Sequence, residues 1–192
     1  MTRNQFAASL ILISFAVLQG CAPLVVVGGA AAVSAAHDRR TLGAQIDDQA
    51  IELKALSAIS ADKELVEKTH INVASINGVV LLSGQASTSE LRDRVLNAAR
   101  AVPGVRRIVN EISVAAPATL GSRSNDTWLT TKVKTSMLTK ANLDASRVKV
   151  VTESAVVYLL GLVTRAEGDL ATDAARSVNG VQRVVKLFEY ID

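Results

Sequence analysis

The fold of this chain is decided by a stretch of fourteen residues that occurs twice. The first copy, at 71–84, reads Ile-Asn-Val-Ala-Ser-Ile-Asn-Gly-Val-Val-Leu-Leu-Ser-Gly, and the second, at 148–161, reads Val-Lys-Val-Val-Thr-Glu-Ser-Ala-Val-Val-Tyr-Leu-Leu-Gly. Apolar residues alternate or run together on both sides of a short break, which predicts two strands joined by a turn. Asn77-Gly78 is a strong hairpin signal, whereas Ser154-Ala155 predicts a looser turn in the second copy.

The repetition extends beyond the hairpins. Residues 98–105, Ala-Ala-Arg-Ala-Val-Pro-Gly-Val, correspond to residues 174–181, Ala-Ala-Arg-Ser-Val-Asn-Gly-Val. The two matches are offset by 77 and 76 residues, and we assign the difference to a one-residue indel inside the intervening helix. The sequence therefore predicts two copies of one small domain, at 47–115 and 124–192, joined by a linker at 116–123.

Each copy is predicted to fold in the order helix, strand, strand, helix, strand. In the first copy, Asp47 or Asp48 is expected to cap a helix that ends near Ser60. The second helix is expected to end before Pro103-Gly104, which leads into the last strand. A strand–helix–strand passage gives a parallel pair of strands, and the hairpin gives an antiparallel pair. The predicted fold class is therefore α+β, with a three-stranded mixed sheet and two helices on one face in each domain.

The chain begins with the features of a secretory signal. An uncharged apolar run from Phe6 to Leu18 follows a start with a single base, and it is too short to cross a bilayer comfortably. It ends at Leu18-Gln19-Gly20-Cys21, which contains the only cysteine of the sequence and resembles a bacterial lipobox. The resemblance implies that residues 1–20 are removed and that Cys21 carries a diacylglyceryl group and an N-acyl chain. The alternative is a buried or idle thiol.

Residues 21–46 are predicted to form the lipidated N-terminus and a tether. Residues 22–36 are small and apolar, but they are too few and too rich in glycine for a second membrane span. The segment His37-Asp38-Arg39-Arg40 is expected to return the chain to water. We interpret His37 as a solvated linker residue rather than a metal ligand, because no neighbouring Cys, His or carboxylate has metal-site spacing.

Composition argues against nucleic-acid binding and against catalysis. The sequence has 21 Lys and Arg against 18 Asp and Glu, and removal of Arg3 with the signal leaves a net charge of +2. A nearly neutral, exported chain is a poor candidate for nucleic acid. No carboxylate pair, glycine-rich phosphate loop or metal-ligand spacing stands out, so we expect no catalytic residue, no cofactor and no metal.

The two repeated units resemble BON domains. The resemblance depends on Gly84 and Gly161, which end the second strands, and on Pro103-Gly104-Val105 and Asn179-Gly180-Val181, which open the last strands. Two such units behind a lipobox resemble the dual-BON outer-membrane lipoproteins of Gram-negative bacteria. The resemblance covers essentially the whole chain after Cys21.

This resemblance implies a non-enzymatic protein that is anchored by lipid in the outer membrane and faces the periplasm. Ala22, rather than an acidic residue, follows Cys21, which resembles the sorting pattern for that membrane. The family implies binding of an anionic phospholipid, phosphatidylglycerol or cardiolipin, and a role in envelope integrity at the division site. It also implies proximity to the barrel-assembly machinery, so an adaptor for that machinery is the alternative function.

Lipid-binding residues are predicted on the first helix of the second domain. On a helical wheel, Leu129, Val133 and Met137 form the inward stripe. The outward half carries Trp128, Thr131, Lys132, Lys134, Thr135 and Leu138. An outward indole among lysines and hydroxyls suits a membrane surface, because indoles rest at headgroup level and each lysine near anionic lipid contributes about 1 kcal/mol.

The first domain lacks this pattern. At the corresponding outward positions its first helix carries Ala50, Leu53, Ser57 and Ser60, and its charges are predominantly acidic. We therefore expect the second domain to bind lipid and the first to support it. Two alternatives remain open from the sequence: Trp128 packs against the neighbouring domain or the linker, or the same patch binds a protein.

Overall fold

A computed structural model describes residues 38–192. Its elements in the first domain are α1 (Leu42–Ser60), α2 (Lys63–Lys68), β1 (Thr69–Ile76), β2 (Val79–Ala86), α3 (Ser89–Arg100) and β3 (Arg107–Val114). Those in the second domain are α4 (Leu120–Leu138), a 3₁₀ turn (Ala145–Arg147), β4 (Lys149–Glu153), β5 (Val156–Val163), α5 (Arg165–Arg176) and β6 (Arg183–Tyr190). The predicted signal peptide, Cys21, His37 and most of the predicted tether lie outside the described residues.

Each domain contains one three-stranded mixed sheet. In the first, β1 pairs antiparallel with β2, and β2 pairs parallel with β3. The second repeats this arrangement with β4, β5 and β6. The long strand in the middle of each sheet therefore joins the hairpin to the strand that returns after the helix, which confirms the predicted fold class.

The two sheets pack against each other, and the helices lie on their outer faces. One core joins α1, α2 and α3 to the outer face of the first sheet, and a second core does the same for α4 and α5. A third cluster lies between the sheets and contains side chains from both domains: Ala74, Ile76, Leu81, Tyr158 and Leu160. At its edge, Glu153 accepts hydrogen bonds from Asn72 and Gln85, each at 2.6 Å. The first helix of each domain therefore has one outer side exposed to solvent.

Both of these helices begin earlier than predicted. The N-cap of α1 is Thr41, whose hydroxyl accepts from the Ala44 N–H at 3.1 Å, so a cap at Asp47 or Asp48 is wrong. The N-cap of α4 is Thr119, inside the predicted linker. In each case a threonine five to seven residues upstream supplies the capping oxygen, and the helix starts there despite a glycine in its first turn, Gly43 in α1 and Gly121 in α4.

Asp48 connects α1 to the first hairpin. Its buried carboxylate accepts from the Asn77 N–H at 2.8 Å, the Gly78 N–H at 2.9 Å and the Ser75 hydroxyl at 2.6 Å. Burial alone would raise the pKa of Asp48, but these hydrogen bonds and the charge of Arg40 lower it below its ordinary value.

Asp126, 78 residues later, makes the same connection in the second domain. Its carboxylate accepts from the Ser154 N–H at 2.9 Å and the Ala155 N–H at 2.8 Å. Ser154 and Ala155 have φ of 50° and 60°, in the left-handed region where residues with a Cβ are disfavoured. The prediction of a looser second turn is wrong, because the carboxylate holds this turn in the same left-handed conformation as the Asn-Gly turn.

The indel also lies elsewhere than predicted. Helices α3 and α5 both have 12 residues, so neither contains an insertion relative to the other. Between β2 and its following helix stand Ser87 and Thr88, whereas Thr164 alone separates β5 from α5. The extra residue is therefore in the loop. The first domain also has α2 where the second has only a 3₁₀ turn.

Gly84 and Gly161 occupy positions where a side chain cannot fit. A Cβ on Gly84 would lie 1.9 Å from the carbonyl oxygen of His70, and one on Gly161 would lie 2.2 Å from that of Arg147. Both glycines have positive φ, 126° and 157°. The neighbouring strand or loop therefore approaches the central strand closely only because these residues are glycine.

Removal of the Asp126 carboxylate tests its role in holding the hairpin. We expect Asp126→Ala to lower the free energy of unfolding by about 2–3 kcal/mol, because two turn N–H groups lose their acceptor and one of them is buried. Urea denaturation followed by circular dichroism measures the change. Asn125→Ala, at the exposed neighbouring position, is the matched control and should change stability by less than about 0.5 kcal/mol. Equal losses in the two variants would contradict the assignment.

Candidate functional site

The orientation of α4 follows from its buried aspartate. Asp126 faces the hairpin, and Trp128 lies about 200° further around the helix, so its ring points away from the sheet. The Trp128 side chain is 51% exposed. Neither the first domain nor the linker encloses the indole.

All six predicted lipid-binding residues lie on this outward surface. Each is exposed, and Leu138 is 75% exposed, which is unusual for leucine. They form two adjacent rows along the helix: Thr131, Lys134 and Leu138 in one, and Trp128, Lys132 and Thr135 in the other. Together the rows extend about 15 Å along α4 at 1.5 Å per residue. We call this set the α4 surface.

Lys132 and Trp128 form a direct pair on the α4 surface. The Lys132 ammonium lies 3.6 Å from the centroid of the indole ring, which is the geometry of a cation–π contact. The positive charge is thus held beside the aromatic face, while the rest of the ring remains open. The pair presents an apolar plane and a cation at the same point of the surface.

The hydroxyls of the α4 surface are less available than the sequence indicates. The Thr131 hydroxyl donates to the Thr127 carbonyl at 3.1 Å, and the Thr135 hydroxyl donates to the Thr131 carbonyl at 2.9 Å. The protons of both hydroxyls are hydrogen-bonded to the helix backbone, so only the oxygen lone pairs of these side chains face solvent. The charged donors that the α4 surface offers to an anion are therefore the ammonium groups of Lys132 and Lys134.

The first helices of the two domains differ in the charge that they expose to solvent. The acid of α4, Asp126, is buried against the turn, so its solvent-facing charges are all basic: Arg123, Lys132 and Lys134. On α1, Asp47 and Glu52 accompany Lys54 on the accessible surface. The α4 surface therefore attracts anions more strongly than the equivalent face of α1.

Sequence reasoning missed an exposed apolar stripe on α1. Because the helix begins at Leu42, its outward side includes residues that had been assigned to the tether. Leu42, Ile46 and Leu53 are 62%, 65% and 68% exposed, and Leu56 is also exposed. With Gln49 they have spacings of 4, 3, 4 and 3 residues, a pattern that was visible in the sequence once the helix start was known. We call these five residues the α1 seam.

The segment before α1, which the sequence predicts to lie in water at the end of the tether, is instead attached to both domains. Arg40 contacts Asp48 of the first domain at 2.8 Å. Arg39 reaches the second domain, where two of its nitrogens donate to the Glu167 carboxylate at 2.6 and 3.1 Å. Burial would raise the pKa of Glu167, but hydrogen bonds from Arg39, the Thr164 N–H and Arg147 lower it to about 2.

The described part of the chain offers neither a metal site nor a membrane-spanning helix. From residue 38 to residue 192, no group of three or more His, Cys, Asp or Glu side chains is placed to hold a metal ion. None of the helices in this range is both long enough and apolar enough to cross a membrane.

Comparison with known proteins identifies the family. The profile of the BON domain matches residues 47–116 and 125–192. The chain belongs to the BON domain family. It is 40% identical to the outer membrane lipoprotein DolP of Haemophilus influenzae over 91% of each chain. It thus has the domain organisation of a dual-BON outer-membrane lipoprotein.

The chain is also similar to two proteins with other names. The 21 kDa hemolysin of Actinobacillus pleuropneumoniae is 38% identical, covering 80% of this chain and 79% of its own. The osmotically-inducible protein Y of Escherichia coli is 30% identical, covering 74% and 72%.

The lowered pKa of Glu167 predicts how the stability of the fold depends on pH. Because the folded-state pKa is about 2 and the ordinary value is 4.5, the ionised carboxylate stabilises the fold fully above about pH 4.5. This contribution is lost as the pH falls from about 4.5 to about 2. We expect Glu167→Gln to be less stable than the parent by roughly 2 kcal/mol at pH 7, and the difference to vanish near pH 2.

Urea denaturation of both proteins across this pH range measures the effect. Glu90→Gln, at an exposed position in the first turn of α3, is the control and should parallel the parent. A difference between the parent and Glu167→Gln that is independent of pH would contradict the assignment.

Proposed function

We propose that this BON-family protein is anchored in the outer membrane by acylated Cys21, faces the periplasm and binds anionic phospholipid through the α4 surface. The observation that carries the proposal is the exposed Trp128 ring with the Lys132 ammonium 3.6 Å from its centroid. The relationship to an outer membrane lipoprotein supports the location. Phosphatidylglycerol and cardiolipin are the lipids whose headgroups have the required charge.

The α4 surface has the chemistry of a membrane interface. The indole is amphipathic and is most stable at the boundary between headgroups and acyl chains, and Leu138 adds an apolar contact at the end of the helix. Lys132 and Lys134 supply the attraction for phosphate, at about 1 kcal/mol each near an anionic surface. Because the threonine protons are already bonded to the backbone, we assign charge recognition to these two lysines rather than to the hydroxyls.

Because the lipid anchor supplies the attachment to the membrane, the α4 surface needs only a weak affinity for lipid. Acyl chains contribute about 0.8 kcal/mol per buried methylene, so the anchor supplies attachment. The α4 surface then meets the bilayer at high effective concentration and selects lipid composition and orientation. Binding of this kind needs no bond making or breaking, and we propose a non-enzymatic role in envelope integrity and division, as the resemblance to dual-BON lipoproteins implies.

Vesicle binding tests the proposal. A soluble chain of residues 37–192 is sedimented with vesicles of phosphatidylcholine alone or mixed with phosphatidylglycerol. We expect Trp128→Ala to weaken binding to the anionic vesicles about tenfold, equivalent to about 1.4 kcal/mol. The double variant Lys132→Gln, Lys134→Gln should weaken it roughly thirtyfold and remove most of its salt dependence.

Lys54→Gln is the matched control, because Lys54 occupies on α1 the position of Lys132 on α4. It should bind as the parent does. Equal binding by the parent and the Trp128→Ala variant would refute the proposal. The alternative, an adaptor for outer-membrane assembly machinery, predicts that a photo-crosslinker at position 128 yields a protein adduct in cells, whereas lipid binding predicts a lipid adduct.

A further inference from the structure

The α1 seam is an exposed apolar face that the lipid-binding proposal does not use. Leu42, Ile46, Leu53 and Leu56 lie on one side of a 19-residue helix, opposite the residues that α1 buries. The homologous stripe on α4 is largely polar, with Ser124, Thr127, Thr131 and Lys134 at the positions equivalent to Ile46, Gln49, Leu53 and Leu56. Of the five positions of this stripe on α4, only Leu120, equivalent to Leu42, is apolar, so a continuous apolar line is present on α1 and not at the equivalent positions of α4.

The spacing of the seam is that of a helix that packs against another helix. Steps of 4, 3, 4 and 3 residues place the side chains in a single line, as in the seam of a coiled coil. The line is also symmetrical about its middle: Leu42 and Leu56 lie seven residues on either side of Gln49, and Ile46 and Leu53 lie three and four residues away. Such a face is complementary to a second copy of itself turned through 180°.

One flank of the seam permits close approach. Gly43, Ala50 and Ser57 recur every seven residues beside it, and none has a side chain larger than a hydroxymethyl group. In the equivalent row of α4, Trp128 and Thr135 replace Ala50 and Ser57. Two α1 helices can therefore approach closely along this flank, whereas two α4 helices cannot.

The charges around α1 do not oppose such a pair. The charged residue nearest the seam is Glu52, which is already engaged: it accepts from the Ser75 N–H at 2.6 Å and pairs with Lys149. Asp47 and Lys54 project from another side of the helix, about 120–140° away from the centre line of the seam. An antiparallel pair thus brings no two like charges of α1 together at its centre, whereas the acidic character of α1 disfavours an anionic bilayer.

We propose that two copies of this chain associate through their α1 seams as an antiparallel helix pair. A single pair of helices buries less area than a typical stable interface, so the association is weak in dilute solution. Two copies anchored in one membrane meet at much higher effective concentration. A two-fold axis along the membrane normal leaves both anchors in the same leaflet, so the geometry is compatible with anchoring.

Cysteine crosslinking in membranes tests both the surface and the direction of pairing. The full-length chain with acylated Cys21 is produced in its lipidated form, with either Gln49→Cys or Ser60→Cys added, and treated with a short thiol-reactive crosslinker. Residue 49 lies at the centre of the seam and meets its own copy in an antiparallel pair. Residue 60 lies about 16 Å further along each helix and is then roughly 30 Å from its own copy.

We expect a covalent dimer from Gln49→Cys at a yield at least tenfold above that from Ser60→Cys, and none from the parent chain. Adding Leu53→Lys should abolish the dimer while leaving Trp128-dependent vesicle binding unchanged, since Leu53 is exposed and not part of the α4 surface. Equal yields at positions 49 and 60 would overturn the antiparallel pair. An adduct of Gln49→Cys with a different protein, or no dimer from a folded Gln49→Cys chain, would overturn self-association.

Discussion

The carboxylate that the first helix of each domain buries against its hairpin determines the rest of the architecture. Asp48 and Asp126 each accept both N–H groups of a two-residue turn, so a single side chain fixes the rotation of the helix and the conformation of the turn. Left-handed Ser154 and Ala155 would otherwise be unfavourable. Once the aspartate faces inward, the identity of every outward residue on that helix follows from the helical repeat.

The same scaffold therefore presents different chemistry in its two copies. At positions 78 residues apart, Ala50 corresponds to Trp128 and Leu56 to Lys134. Sheet-on-sheet packing contributes to this divergence, because it places both sheets inside and leaves α1 and α4 outside. Substitutions on the outward rows change neither the buried carboxylate nor the core, so each helix can acquire its own binding surface without loss of the fold.

Much of the fold could be predicted because its signals are local. The alternating strands, the Asn77-Gly78 turn and the repeat offset depend on residues close together in sequence, and the predicted fold class is confirmed. The errors occurred where a distant group determines the outcome. Asp48 was interpreted as a helix cap because its partners, the turn N–H groups, lie about 30 residues away. The tightness of the Ser154-Ala155 turn was missed for the same reason.

The candidate site shows the same division between local and distant effects. The helical repeat alone identified the outward position of Trp128, and the structure places that ring at the surface. The repeat could not show that the threonine protons are bonded to the helix or that Lys132 stacks on the indole, since both depend on side-chain conformation. The α1 seam was missed because the helix start was placed at Asp47, which removed two of its four apolar residues.

The attachment of Arg39 to Glu167 bears on how such a molecule is oriented at a membrane. The chain between Cys21 and Asp38 contains 16 residues and can span at most about 60 Å, so the proposed lipid on Cys21 would limit how far the domains lie from the bilayer. From Arg39 onward, however, the chain is fixed to both domains through Glu167 and Asp48. If Cys21 is acylated as proposed, the two domains and their outward helices would therefore turn as one body about that anchor. Under the functions proposed above, contact of α4 with anionic lipid would orient α1 as well, and the pairing of two α1 helices would hold two α4 surfaces at the same membrane.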